Sequence, residues 1–298
     1  MKYVTFNAEG RALAGAVLGD QVLDLAAAAR RAGVTGDWSS MLAIVRAGAL
    51  PAARRLATAP AAADLRPLEG LPLLAPITPP RNIFCVGRNY AEHVREGMPG
   101  GAQSGELKLP EVPQFFTKAT HALNAPDGDV RIDAQLTRRF DYEVELAAII
   151  GKGGRDIPAA RAFEHICGYA VCNDFTARDL QRRHEQWFKG KSLDTSFPLG
   201  PWIVDTEELG DITTLELSLT VNGQPRQRAH VSQMIFDVPK IVASLSAGLT
   251  LEPGDVIATG TPSGVGFAMN PPQYLVPGDV VVTRIDRIGS LTNRMVAA

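Results

Sequence analysis

Hydrophobic and polar positions follow two different rhythms along this chain. Residues 1 to about 65 open with short pieces, KYVTF and AGAVLGDQVLDL, that predict strands, and continue into an Ala-rich stretch over 25–63 that predicts helix. Next comes RPLEGLPLLAPITPPRN, where Pro67, Pro72, Pro76, Pro79 and Pro80 favour an extended connector. A domain boundary is expected there, with a small N-terminal domain at 1–70 and a larger one at 71–298. The larger region reads mostly as strands, beginning with NIFCVG at 82–87 and passing into a short helical segment, NYAEHVREG, closed by Gly97. Farther on, LELSLTVNGQPRQRAHV alternates around Asn222-Gly223, a strong hairpin signal. Helices after the boundary are few, expected at 157–164, 176–186 and 237–249. The pattern predicts an α+β chain that is mainly β, not a doubly wound α/β fold.

Composition narrows the partners more than the fold. The chain has 298 residues, 45% hydrophobic and 21% charged, with mean hydropathy near zero. That is ordinary for a soluble protein with a substantial core. A net charge of -2 and a pI of 6.2, with no basic run, give no general attraction to nucleic acid or to an anionic membrane. Small polar molecules are the better expectation. No apolar run approaches the roughly 20 residues of a membrane span, and the start MKYVTFNAEG lacks the apolar core of a secretory signal, so a cytoplasmic location is expected. Cys85, Cys167 and Cys172 form no CxxC and are read as reduced and buried.

The candidate chemistry begins in RRFDYEVELAAIIG, where Asp141, Glu143 and Glu145 occupy alternate positions of what reads as a strand. Alternate strand residues share a face, so the three carboxylates repel one another unless something positive sits among them. One reading is a solvated strand edge. The other is a site for Mg²⁺, Mn²⁺ or Ca²⁺, which take hard oxygen ligands. A further ligand is available in GYAVCNDFTARDLQ, where Asp174 ends an apolar strand and Thr176 can cap the following helix; turn chemistry is the alternative for Asp174.

His93 and Glu96 share a helix face at spacing i, i+3, either as a surface pair or as a carboxylate-oriented base able to activate water. The Gly- and Pro-rich stretch just downstream, 98–112, suggests a closing lid. Lys191, in WFKGKSLDTSFPLGPW, is a surface residue, an oxyanion stabiliser or a Schiff-base amine, and Lys118 in QFFTKAT is equally open. Two tempting patterns fail: GKS at 190–192 has Glu185 where a P-loop needs glycine, and TPSGVG has Thr261 where a nucleophile elbow needs glycine. His121, His165, His184 and His230 have no ligand spacing and are read as structural.

Taken in order, VGRNYAEHVRE, DYEVELAAIIGK, GYAVCNDFTARDLQ, GKSLDTSFPLGPW and TGTPSGVG resemble the fumarylacetoacetate hydrolase family, over roughly residue 82 to the C-terminus. The resemblance implies a mixed β-roll catalytic domain with one divalent cation, usually Mg²⁺ or Mn²⁺, on Glu143, Glu145 and Asp174. It also implies a His93-Glu96 dyad, a catalytic Lys191, and substrate contacts from Gln181, Gly260 and Thr261, to which Arg88 and Lys118 are added as candidates. Asp141 is not expected to be a ligand. The implied substrate is a small 2-oxo or β-diketo acid, hydrolysed at a carbon–carbon bond, with same-fold decarboxylases, isomerases and lyases as alternatives and homodimers common among relatives. A Schiff-base lyase through Lys191 and a non-catalytic metal-binding module stand as rivals from other classes.

Overall fold

The structure, a computed structural model, describes residues 1–98 and 107–298, so most of the expected lid at 98–112 lies outside the described residues. The strand Val144–Ile150 is where its layers meet. All seven residues are buried, because both faces of the strand are covered. Val144, Leu146, Ala148 and Ile150 pack into a core with Leu217, Leu219, Val281, Leu291 and Met295 of a five-stranded sheet. Ala147 and Ile149 point the other way, into a second core with Tyr3, Ala14, Met41 and Ile44 from the N-terminal region. Two-sided burial explains why LAAII carries no polar alternation.

This strand lies inside a 12-stranded mixed sheet. It pairs antiparallel with Ile166–Asn173 on one side and with Val256–Ala258 on the other; beyond the latter, Ile83–Gly87 joins in parallel. The expected mainly β architecture is thus present. The first strand, Lys2–Ala8, joins the same sheet by pairing with Phe197–Asp205, in the register Lys2↔Val204 and Tyr3↔Ile203. The N-terminal strands therefore extend the sheet of the larger region. No helix among the described residues is long and apolar enough to cross a membrane.

Several local expectations need correction. The helix expected over 25–63 is three short helices, Leu25–Arg31, Met41–Arg46 and Leu50–Leu56. Gly33 and Gly48, at φ +66° and +63°, end the first two, since a left-handed residue after a helix closes it and only glycine adopts that conformation freely. Thr176 caps no helix: it lies in the two-residue strand Thr176–Ala177, its hydroxyl donates to the Asp174 carbonyl at 2.9 Å, and Arg178–Arg183 forms the helix. The turn expected at Asn222-Gly223 is present, with φ +50° and +77°, between Glu216–Val221 and Gln224–His230. The three cysteines are free, although Cys167 is partly exposed.

Candidate active site

The acidic stretch is not one continuous strand. Phe140–Asp141 pairs with Thr176–Ala177, and the main strand resumes only at Val144. Within the main sheet Val144 faces Asn173 and Glu145 faces Cys172, which leaves Glu143 beside Asp174 at the strand ends. Two bonds hold that juxtaposition: the Asp174 amide donates to the Glu143 carbonyl at 2.9 Å, and the Glu143 amide donates to Asn173 Oδ1 at 3.0 Å. Carboxylate oxygens of Glu143, Glu145 and Asp174 then lie within 4.8 Å of one another, all buried. Asp141 turns away to Arg178, whose Nε donates to Asp141 Oδ2 at 2.9 Å.

Cations arrive from outside the strand. Lys191 Nζ reaches Glu143 Oε2 at 2.7 Å and Asp174 Oδ2 at 2.6 Å. Lys118 Nζ donates to Asp174 Oδ1 at 2.7 Å and to the Phe175 carbonyl at 3.0 Å, and Arg178 Nη2 lies 2.7 Å from Glu143 Oε1. Burial opposes the charge on Glu143, but Lys191 and Arg178 outweigh it and hold its carboxyl down at about 2. Glu145 is different. The only hydrogen bond to its carboxylate among the described residues is from the Gly260 amide at 2.7 Å; burial first, then Asp174 and Glu143, push its carboxyl well above the usual range. Four buried carboxylates, counting Asp141, face the three cations, and the acid left without a cation sits in the triad. A hard divalent cation fits this donor set, supplying the missing positive charge to oxygen ligands alone.

His93 stands beside this cluster. Its Nδ1 lies 2.7 Å from Glu96 Oε1, and Glu96 Oε2 accepts from the Gly264 amide at 2.8 Å. A carboxylate only accepts, so this geometry keeps the imidazole proton on Nδ1 and leaves Nε2 as the free base. Both residues ride on the short helix Ala91–Glu96, and the preceding Asn89 anchors its start by donating to the Phe236 and Thr259 carbonyls at 2.9 and 2.8 Å.

A cavity of about 470 Å³ opens over the cluster, and its walls include His93, Glu143, Glu145, Lys191, Arg88, Gln181 and Thr261. Seven of the expected site residues thus meet there. Glu96 and Asp174 stand behind His93 and Lys191, and Gly260 acts through its amide on Glu145. Lys118 is fully buried behind Asp174 and is not part of the cavity wall. Met98 and Lys108 also line the cavity.

The glycine of GKS has a packing explanation in place of a phosphate-binding one: a Cβ on Gly190 would meet the Gln181 amide at 2.5 Å, so this glycine lets the helix Phe188–Lys191 approach Arg178–Arg183 and deliver Lys191. Arg178 is the main residue that sequence reading missed. It stood inside the NDFTARDLQ motif, but a charged side chain at the start of a helix carries no sign that it will be buried, and here it is 5% exposed. Gln227 gave no signal at all, although it donates to Thr261 Oγ1 and the Pro262 carbonyl, both at 2.8 Å.

Residues 82–296 match the fumarylacetoacetate (FAA) hydrolase C-terminal family. The chain belongs to the fumarylacetoacetate hydrolase family. One relative, oxaloacetate tautomerase YisK of Bacillus subtilis, is 44% identical over 229 residues, covering 76% of this chain and 74% of its own. A fumarylacetoacetate hydrolase from the psychrophile Exiguobacterium antarcticum is 40% identical with a TM-score of 0.83, and both chains are covered in full. A maleylpyruvate hydrolase from Sphingobium sp. SYK-6 is 30% identical with a TM-score of 0.79, again over both whole chains. The family thus spans hydrolysis and tautomerisation, and enzymes of this type generally use divalent metals.

Proposed function

We propose that this chain is a divalent-metal-dependent hydrolase that cleaves a carbon–carbon bond in a β-diketo acid of the acylpyruvate type. The observation that carries the reading is the His93 Nδ1 to Glu96 Oε1 contact of 2.7 Å, with His93 on the wall of the cavity that Glu143 and Glu145 of the acidic triad also line. A bound Mg²⁺ or Mn²⁺, held by Glu143, Glu145 and Asp174, would polarise the substrate carbonyl as a Lewis acid. The chain's own residues would do the rest. His93 Nε2 removes a proton from water, and Glu96 keeps the Nδ1 proton and stabilises the imidazolium. Hydroxide adds to the distal carbonyl carbon; the bond to the neighbouring carbon then breaks and its electron pair leaves as pyruvate enolate. His93 returns the proton to that carbon, so the products are a carboxylate and pyruvate.

Lys191 spends two of its three N–H donors on Glu143 and Asp174, which leaves one for a developing oxyanion. Those two acids outweigh the effect of burial and hold the ammonium protonated, which tells against a Schiff-base route. Thr261 Oγ1 accepts from Gln227, so its own hydrogen is free to donate to a substrate carboxylate, and Gln181 and Arg88 offer further donors on the same wall.

A second reading has a specific observation behind it: the relative that is 44% identical is an oxaloacetate tautomerase. In that reading His93 would move a proton between carbon and the enol of a β-keto diacid, with no water added. One assay separates the two. Loss of enol absorbance from acetylpyruvate, fumarylpyruvate and oxaloacetate is followed with Mg²⁺ or Mn²⁺, alongside pyruvate release. Hydrolysis predicts pyruvate in step with the absorbance loss, abolished by chelation and reduced about 10³-fold in His93→Ala. Decay of the oxaloacetate enol without pyruvate, and inertness toward both acylpyruvates, would overturn hydrolysis in favour of tautomerisation.

A further inference from the structure

One member of the acidic stretch has no part in that chemistry. Asp141 is fully buried, yet it lies outside the metal-ligand set. Its carboxylate accepts four hydrogen bonds: from the Gly266 and Tyr142 amides at 2.8 and 3.0 Å on Oδ1, and from the Phe267 amide and Arg178 Nε at 3.1 and 2.9 Å on Oδ2. The loop TGTPSGVGF, 259–267, is pressed against it. A Cβ on Gly266 would come within 2.8 Å of Asp141 Oδ1 and 2.0 Å of the Gln273 carbonyl.

Two other amides of the same loop serve the site. The Gly260 amide serves Glu145 and the Gly264 amide serves Glu96, while the Gly264 carbonyl accepts from Tyr142 Oη at 3.1 Å. Phe267 lies under the Arg178 guanidinium, 4.5 Å from its carbon to the ring centroid, and a Cβ on Gly97, next to Glu96, would stand 3.8 Å from the Phe267 ring. Asp141 is therefore the point from which two arms leave. One runs through Gly266 and Gly264 to Glu96 and His93; the other runs through Arg178 to Glu143.

We propose that Asp141 is a positioning residue: by seating the 264–267 loop and Arg178 together, it holds the His93-Glu96 dyad in register with the acidic triad. This rests on His93 being the base, but two of its readouts do not depend on which reaction the protein performs. Asp141→Asn is the informative change. An amide has one acceptor oxygen, so the Asn Nδ2 must confront either the Gly266 and Tyr142 donors or the Phe267 and Arg178 donors, and one pair loses its partner. Asp179→Asn serves as the control: Asp179 adjoins Arg178 in sequence but binds Thr137 Oγ1 at 2.6 Å and the Leu180 amide at 2.9 Å, and touches neither arm.

The test uses the full chain. In the metal-free protein, the ¹⁵N shifts of the His93 ring report how fully the proton resides on Nδ1, and hydrogen exchange reports the Gly264, Gly266 and Phe267 amides. In Asp141→Asn the Nδ1–H population should fall and those amides should exchange at least about tenfold faster, while Mn²⁺ affinity stays within about threefold of wild type. In the metal-loaded enzyme kcat should drop by about tenfold or more. Asp179→Asn should change none of these. Tyr142→Phe, which removes only the bond to the Gly264 carbonyl, should move the tautomer and the exchange in the same direction by a smaller amount, and it decides the question if Asp141→Asn does not fold. A wild-type tautomer and wild-type exchange in the folded variant would overturn the proposal. So would a Mn²⁺ affinity weakened more than about tenfold with the dyad intact, which would make Asp141 part of the metal site.

Discussion

Two groups of buried carboxylates in this protein are balanced differently. Two buried acids each have an arginine: Asp255, with no side-chain exposure, is held by Arg81, next to the proline-rich connector, through Nε at 2.9 Å and Nη2 at 2.5 Å, and Asp205 is held by Arg54 of the N-terminal region at 2.5 Å. Those arginines are about one-third exposed, so their own desolvation is modest. At the centre, Asp141, Glu143, Glu145 and Asp174 share Lys118, Arg178 and Lys191, all nine-tenths or more buried, and Glu145 has no cation. A balanced pair contributes to holding two segments together. An unbalanced cluster costs stability by itself, and it persists where a missing charge is to be supplied from outside.

The sharpest way to break this contrast is Glu145→Gln. It should weaken Mg²⁺ or Mn²⁺ binding by about 100-fold or more in titration calorimetry, yet leave the melting temperature in chelator unchanged or higher, because it removes an uncompensated buried acid. Retention of full affinity would remove Glu145 from the ligand set. Arg81→Met should do the reverse: about 2–3 kcal/mol less stability in denaturant unfolding, with cation affinity untouched, because Asp255 is left buried and unpaired.

Acidity separates the two triad glutamates. Glu145 has its carboxyl raised, so it is protonated below that raised value and must lose its proton to bind a cation, whereas Glu143, held at about 2, is already ionised. Apparent affinity should therefore rise about tenfold per pH unit while Glu145 is protonated, with close to one proton released per ion; calorimetry in buffers of different ionisation enthalpy counts it. Zero protons released would show that Glu145 is ionised before the cation arrives. The smallest effect belongs to neither place: Gly223→Ala, at φ +77° in the hairpin turn, should cost about 1 kcal/mol in unfolding and change neither turnover nor cation affinity.

The parts of the site that were legible beforehand are those carried by short-range spacing. His93 and Glu96, three apart, meet through geometry that any helix supplies, and Glu143 and Glu145 are two apart, although Glu143 stands just ahead of the strand that carries Glu145. Asp141 shows where that logic stops: the period-2 pattern extends to it, but the strand is interrupted at 142–143, and its carboxylate serves Arg178 and the Gly266 amide instead. Lys118 was legible as a charged residue on a strand but not as one sealed behind Asp174, because burial depends on what packs over it.

By itself, the sequence determined the mainly β character, the hairpin at Asn222-Gly223 and the inventory of acids, base and lysines, since periodicity, turn chemistry and residue type are properties of neighbouring positions. Tertiary structure decided the rest. It brought Asp174 to Glu143 through the pairing of Val144 with Asn173, set Lys191 between them through a close helix contact at Gly190, and drew amides of one loop to Glu145, Glu96 and Asp141. Contacts between segments separated in the chain are governed by sheet register and core packing, and no local stretch of the chain encodes them.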